Sequence, residues 1–375
     1  MKIALCLYKY FPYGGLQRNF LAISEELLKR GHDITVYTGE WEGECPANLS
    51  VTLLAASGVT NHGYNKHFYK LLQQELKRKP ADIVVGFNKM PGLDIYYCAD
   101  TCFAAKAFED KSWLYRLSPR SRWSIRYERA VFAKDSKTEV LLLSADQGDA
   151  FNRYYSTPFV RMHLMPPGIS RTRVRTAESD QQAVRIRQEL DIAPEEKVIA
   201  FLGSDYKRKG LDRLLKAAAA LPADQKATLK VLVIGRDKRS KDYETLAAKL
   251  GIRDRVLFVG QRDDVPELLF AANCLAHPAY LENTGNVLLE AVVAGLPVIC
   301  SGICGYAFYI EDNNLGAVTP EPFNQTTMNQ QLAKLMVDPV DWRTRCADFA
   351  QSADIYSRPL RIAEKIEAIG VKRCH

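Results

Sequence analysis

Short apolar runs alternate with helical patterns in two series along this chain, and Pro166-Pro167-Gly168 separates them. The first series reads KIALCLY, a helix over 16–30, DITVYT, a helix near 66–79, ADIVVGF, TEVLLLS at 138–144 and VRMHLMPPG at 160–168. After a polar, charge-rich stretch at 171–195 the second reads VIAFLGS, a helix from about 209, KVLVIG, a helix near 243–250, RVLFVG, CLAHPA, a helix from 285 and PVICS. Helical patterns at 324–352 and about 357–369 close the chain. Such alternation builds βαβ units around parallel sheets, and Pro-Pro-Gly interrupts helix and strand alike. The expectation is an α/β protein of two Rossmann-like domains, 1–168 and 169–355, facing each other across a cleft, with 356–375 a helix packed back on the first. At 375 residues the chain is long enough for two domains of roughly 150 to 200 residues.

Composition narrows the class. A hydrophobic content of 47% and a charged content of 25% exclude disordered and collagenous chains. No stretch approaches the roughly 18 apolar residues of a membrane span. MKIALCLYKYF lacks a small-residue cleavage site and reads as a strand, not a secretory signal. Nine scattered cysteines without C-x-x-C spacing point to reduced thiols in a cytosolic protein. The net charge of +7 suggests an anionic partner, with nucleotide, nucleic acid and acidic lipid all open.

Three loops carry chemistry. Tyr13-Gly14-Gly15-Leu16-Gln17-Arg18 lies between the first strand and a helix. Gly14 and Gly15 either let backbone N–H groups approach a ligand at the helix N-terminus or only make a tight turn. The spacing is not that of a dinucleotide site. Gly203-Ser204-Asp205-Tyr206-Lys207-Arg208-Lys209-Gly210 leaves a buried strand with three cations in a row. Carboxyl ends of parallel strands are where such sheets bind ligands, and Arg with Lys can neutralise a diphosphate without a metal.

The third loop, Glu282-Asn283-Thr284-Gly285-Asn286-Val287-Leu288-Leu289-Glu290, precedes the helical LLEAVVAGLPVI. Glu282 falls on the loop and Glu290 near the end of the helix's second turn, so carboxylates flank a helix N-terminus. They can accept hydrogen bonds from hydroxyls at two ends of one ligand, while the N–H groups of Thr284, Gly285 and Asn286 face phosphate or sugar oxygens. Glu290 sits among apolar neighbours, where an unpaired carboxylate is costly.

Gly14-Gly15, Arg208/Lys209 and Glu282-x7-Glu290 together resemble glycosyltransferase family 4, retaining enzymes of the GT-B fold. CLYKYFPYGGLQRNF, WEGECP, GFNKMPGLD, LMPPGI, AHPAYLENTG and CGYAFYI further resemble the lipopolysaccharide core glucosyltransferases of Gram-negative bacteria. The resemblance implies transfer of glucose from UDP-glucose to the inner-core heptose, with retention and with no metal or cofactor beyond the donor. It implies that Glu290 binds ribose hydroxyls, Glu282 contacts sugar hydroxyls, and Arg208 and Lys209 neutralise the departing diphosphate. Arg262, after RVLFVG, stands where relatives hold the donor's base. No carboxylate nucleophile is evident, so front-side attack assisted by the leaving phosphate is the expected course.

Other candidates keep two readings. Asp100, ending GLDIYYCAD, is a base or orienting group facing the cleft, or a helix cap or ion-pair partner. Asn19 replaces the Asp of the relatives' motif and can orient a hydroxyl but not act as a base. Arg173 adds a phosphate contact or is a solvated hinge residue, and His277 is read as structural.

Residues 103–132 interleave cations and aromatics. Lys111, Trp113, Arg116, Arg120, Arg122, Trp123, Arg126 and Arg129 are read as a face for anionic inner-membrane lipid, helped by the family's lipid-borne acceptor. Arg122, Arg126 and Arg129 are expected to share one helical face. The alternative is a solvated helix with its aromatics packed on its own domain. No RNA-binding motif accompanies the segment, so no nucleic-acid partner is expected. The location expected is the cytoplasmic face of the inner membrane.

Overall fold

Runs such as Ile3-Ala4-Leu5-Cys6 have no polar face to offer water, so they pair as parallel strands covered on both sides by helices. The computed structural model describes residues 1–12, 14–109, 111–338 and 340–374. Tyr13 and Asp110, part of the glycine turn and the basic segment, lie outside the described residues. The chain divides into two units, Met1–Gly168 with Tyr356–His375, and Ile169–Ile355.

The first unit contains β1 (Lys2–Cys6), β2 (Lys9–Tyr10), β3 (Asp33–Thr38), β4 (Glu40–Trp41), β5 (Ser50–Leu53), β6 (Ile83–Gly86), β7 (Ile95–Cys98), β8 (Glu139–Leu142) and β9 (Met162–Leu164). Among the described residues they form a parallel sheet in the order β5-β3-β1-β6-β7-β8-β9 and a small β2-β4 pair. In register, Leu5 stands opposite Val36 on one side and Val85 on the other. One face packs on helix Gly15–Lys29 and on Ile362, Ala363 and Ile366 of helix Arg358–Cys374. Its other face packs on Phe68 and Leu72 of helix Asn61–Arg78 and Val131 and Phe132 of helix Pro119–Phe132. Glu367 joins the C-terminal helix to Arg30 and His32 at 2.6 and 2.7 Å.

The second unit contains β10 (Lys197–Leu202), β11 (Leu229–Ile234), β12 (Val256–Gly260), β13 (Cys274–His277), β14 (Val298–Ser301) and β15 (Gly316–Thr319). They pair in parallel in the order β12-β11-β10-β13-β14-β15. Both units are thus Rossmann-like. The stretch read as polar linker at 171–195 contains helix Ser179–Glu189, which buries little more than Ala183 and Ile186 and so carries a weak apolar pattern. Among the described residues no helix is long and apolar enough to cross a membrane.

Candidate active site

β10 and β13 are neighbours in the second sheet, so the loops at their carboxyl ends meet. The first loop turns tightly because Asp205 (φ 58) caps helix Tyr206–Lys209 through the Arg208 N–H, at 3.3 Å. Gly210 (φ +81) then passes so close to β13's extension that a Cβ there would overlap the Pro278 carbonyl oxygen. Only glycine permits both the conformation and the approach. The consequence is that Lys209 reaches Glu282, with which it is ion-paired.

Glu282 is the hub of this corner. His277 Nε2 lies 3.2 Å from its Oε2, Arg208 Nη1 lies 3.8 Å away, and the Asn283 N–H donates to Oε1 at 3.2 Å. Burial opposes ionisation of this carboxyl, but the His277 hydrogen bond and the Lys209 charge hold it well below the usual carboxylate range. His277 is fully buried, and burial pushes its pKa below the ordinary 6.5. It therefore stays neutral and donates through Nε2–H. Reading it as structural missed this contact, which depends on the 278–281 turn folding Glu282 back onto the strand end.

Gly285 (φ 81) caps helix Asn286–Val293, which makes Glu290 the first residue of the second turn, earlier in that turn than the spacing predicts. The Thr284 carbonyl accepts the Tyr306 N–H at 2.8 Å and anchors the loop. The N–H groups of Thr284, Gly285 and Asn286 have no acceptor among the described residues, as expected of a helix N-terminus that can receive an anion. Glu290 is buried, and Arg173 Nη1 donates to its Oε2 at 3.2 Å. Arg173 is therefore a partner of Glu290 in the structure rather than a solvated hinge residue.

Other candidates separate from this cluster. Lys207 pairs with Asp212 at 3.1 Å and lies over the Tyr280 ring, which Arg213 also covers at 3.6 Å, so the cation run splits after its first member. Arg262 is clamped by Asp264 at 2.8 and 2.6 Å and by Glu189 at 2.7 Å. Its guanidinium is thus held by two carboxylates in this structure. In the first unit Asn19 Nδ2 donates back to the Gly15 carbonyl at 2.9 Å, so the free hydroxyl-orienting amide expected there is locally engaged. A Cβ on Gly14 would overlap the Gln17 side chain, whereas one on Gly15 meets nothing within 4 Å.

Asp100 is exposed and makes no side-chain hydrogen bond among the described residues. The cap of helix Phe103–Glu109 is instead the buried Glu128, which accepts the Phe103 and Ala104 N–H groups at 2.8 and 2.9 Å and pairs with Lys89 at 2.5 Å. Segment 103–132 forms helices Phe103–Glu109, Trp113–Leu117 and Pro119–Phe132. Trp113, Leu114 and Leu117 stand exposed, as do Lys111 and Arg120. Arg116 lies over Phe108 at 4.9 Å. Trp123 packs on Tyr127 at 4.5 Å, beside the core. The expected common basic face divides, because Arg122 and Arg126 border a hollow against helix Asn61–Arg78 while Arg129 borders Ala133–Ser136 and Tyr154–Ser156.

Two Rossmann-like units, one carrying paired cations, a buried carboxylate pair and a helix N-terminus at its strand ends, define a glycosyltransferase of the GT-B class. Residues 183–353 match Glycosyl transferases group 1, and residues 13–173 match Glycosyltransferase Family 4. The lipopolysaccharide glucosyltransferase WaaG of Escherichia coli (strain K12) is 42% identical over 98% of both chains. A crystal structure of WaaG, a glycosyltransferase involved in lipopolysaccharide biosynthesis, superposes with a TM-score of 0.91 over 97% of this chain and 99% of that one, at 42% identity. HepE of Anabaena in complex with UDP shares the fold, with a TM-score of 0.73 at 19% identity over 98% and 100% of the two chains. The chain belongs to the family 4 glycosyltransferases, in the lipopolysaccharide glucosyltransferase group of WaaG.

Proposed function

We propose that this enzyme moves glucose from UDP-glucose to the inner-core heptose of lipopolysaccharide, with retention of configuration. The observation that carries the reading is the Lys209–Glu282–His277 array beside the helix N-terminus at Gly285. Lys209 and Arg208 meet the diphosphate, the Asn283–Asn286 loop supplies N–H donors, and Glu290, oriented by Arg173, accepts the ribose hydroxyls. Cleavage of the sugar–UDP bond places negative charge on the β-phosphate, and preorganised cations and N–H dipoles stabilise it. These groups need no metal.

Glu282, held ionised by two donors, is a weak base and a weak nucleophile, which supports a role in orienting sugar hydroxyls. The acceptor oxygen then bonds to the anomeric carbon from the face that UDP leaves, and its proton passes to the departing phosphate oxygen. Asp100 is the candidate orienting group in the first unit. Exposed Trp113, Leu114 and Leu117 with Lys111 and Arg120 support peripheral contact with anionic lipid at the cytoplasmic face of the inner membrane. The test is incubation with labelled UDP-glucose and heptose-terminated core lipid. Label should appear in the lipid as an α-glucoside, and label confined to UDP-sugar would overturn the reading.

A further inference from the structure

Helices Asn61–Arg78 and Pro119–Phe132 border a hollow of ≈870 Å³ in the first unit, within the range of about 300–1,000 Å³ typical of ligand sites. Lys66, Lys70 and Lys77 line it from one helix, and Arg122 and Arg126 from the other. Spacings of four residues (66 to 70, 122 to 126) put these cations on the facing sides of their helices. None of the five has an ion-pair partner among the described residues, and no acid lines the hollow. Elsewhere on the same helix Arg78 is paired with Glu75 at 2.7 Å. Like charges gathered without a counterion repel, so the arrangement is relieved by an anion.

The rest of the lining says which kind. Tyr69, Trp123 and Tyr127 line the hollow with the cations, Tyr69 and Tyr127 meeting edge to face at 5.7 Å and Tyr127 tilted against Trp123 at 4.5 Å. Gln73 and Gln74 add amides that make no hydrogen bond among the described residues. Aromatic faces stack on the C–H faces of sugar rings, amides donate to and accept from hydroxyls, and Lys and Arg bind phosphate oxygens. A bilayer surface, by contrast, is met by protruding apolar groups such as Trp113, Leu114 and Leu117, none of which lines this hollow.

The geometry points to a second carbohydrate site, separate from the donor site, that binds a phosphorylated saccharide. Its function would be to hold a phosphate-bearing part of a glycan substrate to the first unit while another sugar of that glycan reacts.

The test is ligand-observed NMR titration of the full chain with trehalose 6-phosphate, with trehalose and with inorganic phosphate, on wild type and on Lys70→Gln/Arg126→Gln. Trehalose 6-phosphate should bind about tenfold or more tightly than either comparator, and the double variant should weaken it about tenfold. Both substituted residues are exposed, and an unchanged melting temperature shows that the variant is folded. Tyr69→Ala should reduce trehalose 6-phosphate to the affinity of inorganic phosphate. Equal binding of trehalose 6-phosphate and phosphate in wild type would overturn the proposal. So would unchanged binding by the double variant, or loss of binding to phosphatidylglycerol vesicles with no saccharide binding at all.

Discussion

His277 Nε2 lies 3.2 Å from Glu282 Oε2, the same oxygen that pairs with Lys209. A neutral imidazole thus helps hold an ionised carboxylate under a cation. Burial sets the sign of its pH dependence, because the folded pKa lies below the ordinary 6.5. The unfolded chain therefore takes up the proton first, so this contribution is complete above about pH 6.5 and is lost as pH falls below it. The melting temperature should decline as the pH falls below about 6.5. His277→Gln, neutral throughout, should flatten that part of the profile, and an unchanged acid slope in the variant would assign it elsewhere.

Lys209 is ion-paired with Glu282, and the proposed reaction gives it the charge that develops on the leaving phosphate. Lys209→Met should lower kcat by about 10²–10³-fold, the usual scale for losing one preorganised donor. Lys209→Arg should recover only part of this, because a guanidinium is a planar fork and not a point charge. Steady-state kinetics with UDP-glucose measures both, and a wild-type kcat in the Met variant would remove Lys209 from the reaction.

Two glycines separate packing from function. Gly210→Ala places a Cβ against the Pro278 carbonyl at φ +81, so it should destabilise the protein by about 1–3 kcal/mol and displace Lys209. Gly15→Ala meets nothing within 4 Å and should leave the melting temperature unchanged. If a ligand approaches the backbone there, the Gly15 variant should still lose activity. Thermal melts beside kinetics separate the two effects.

The central strands were legible because parallel strands buried on both faces read as unbroken apolar runs, as in KVIAFL and LKVLVI. The edge strands β5 and β15, SVTL and GAVT, were not, since they are short and largely half-buried or exposed. Glu290 stood out because its neighbours are apolar, but its partner Arg173 lies 117 residues away and no local pattern links them. Glu128 stands among cations in the sequence with nothing local to mark it, yet it is fully buried and caps another helix. Spacing places side chains on a face, whereas pairing across elements follows from how those elements pack.

The central claim is that the corner containing Glu290, Arg173, Lys209 and Glu282 binds the nucleoside diphosphate of the donor. The most direct measurement is titration calorimetry of UDP against wild type, Glu290→Gln and Lys209→Met. Glu290→Gln keeps the shape but weakens acceptance of ribose hydroxyls and the hold on Arg173, so UDP affinity should fall about tenfold or more. Lys209→Met should cause a comparable loss by removing a phosphate contact. Wild-type affinity in both variants would contradict the account.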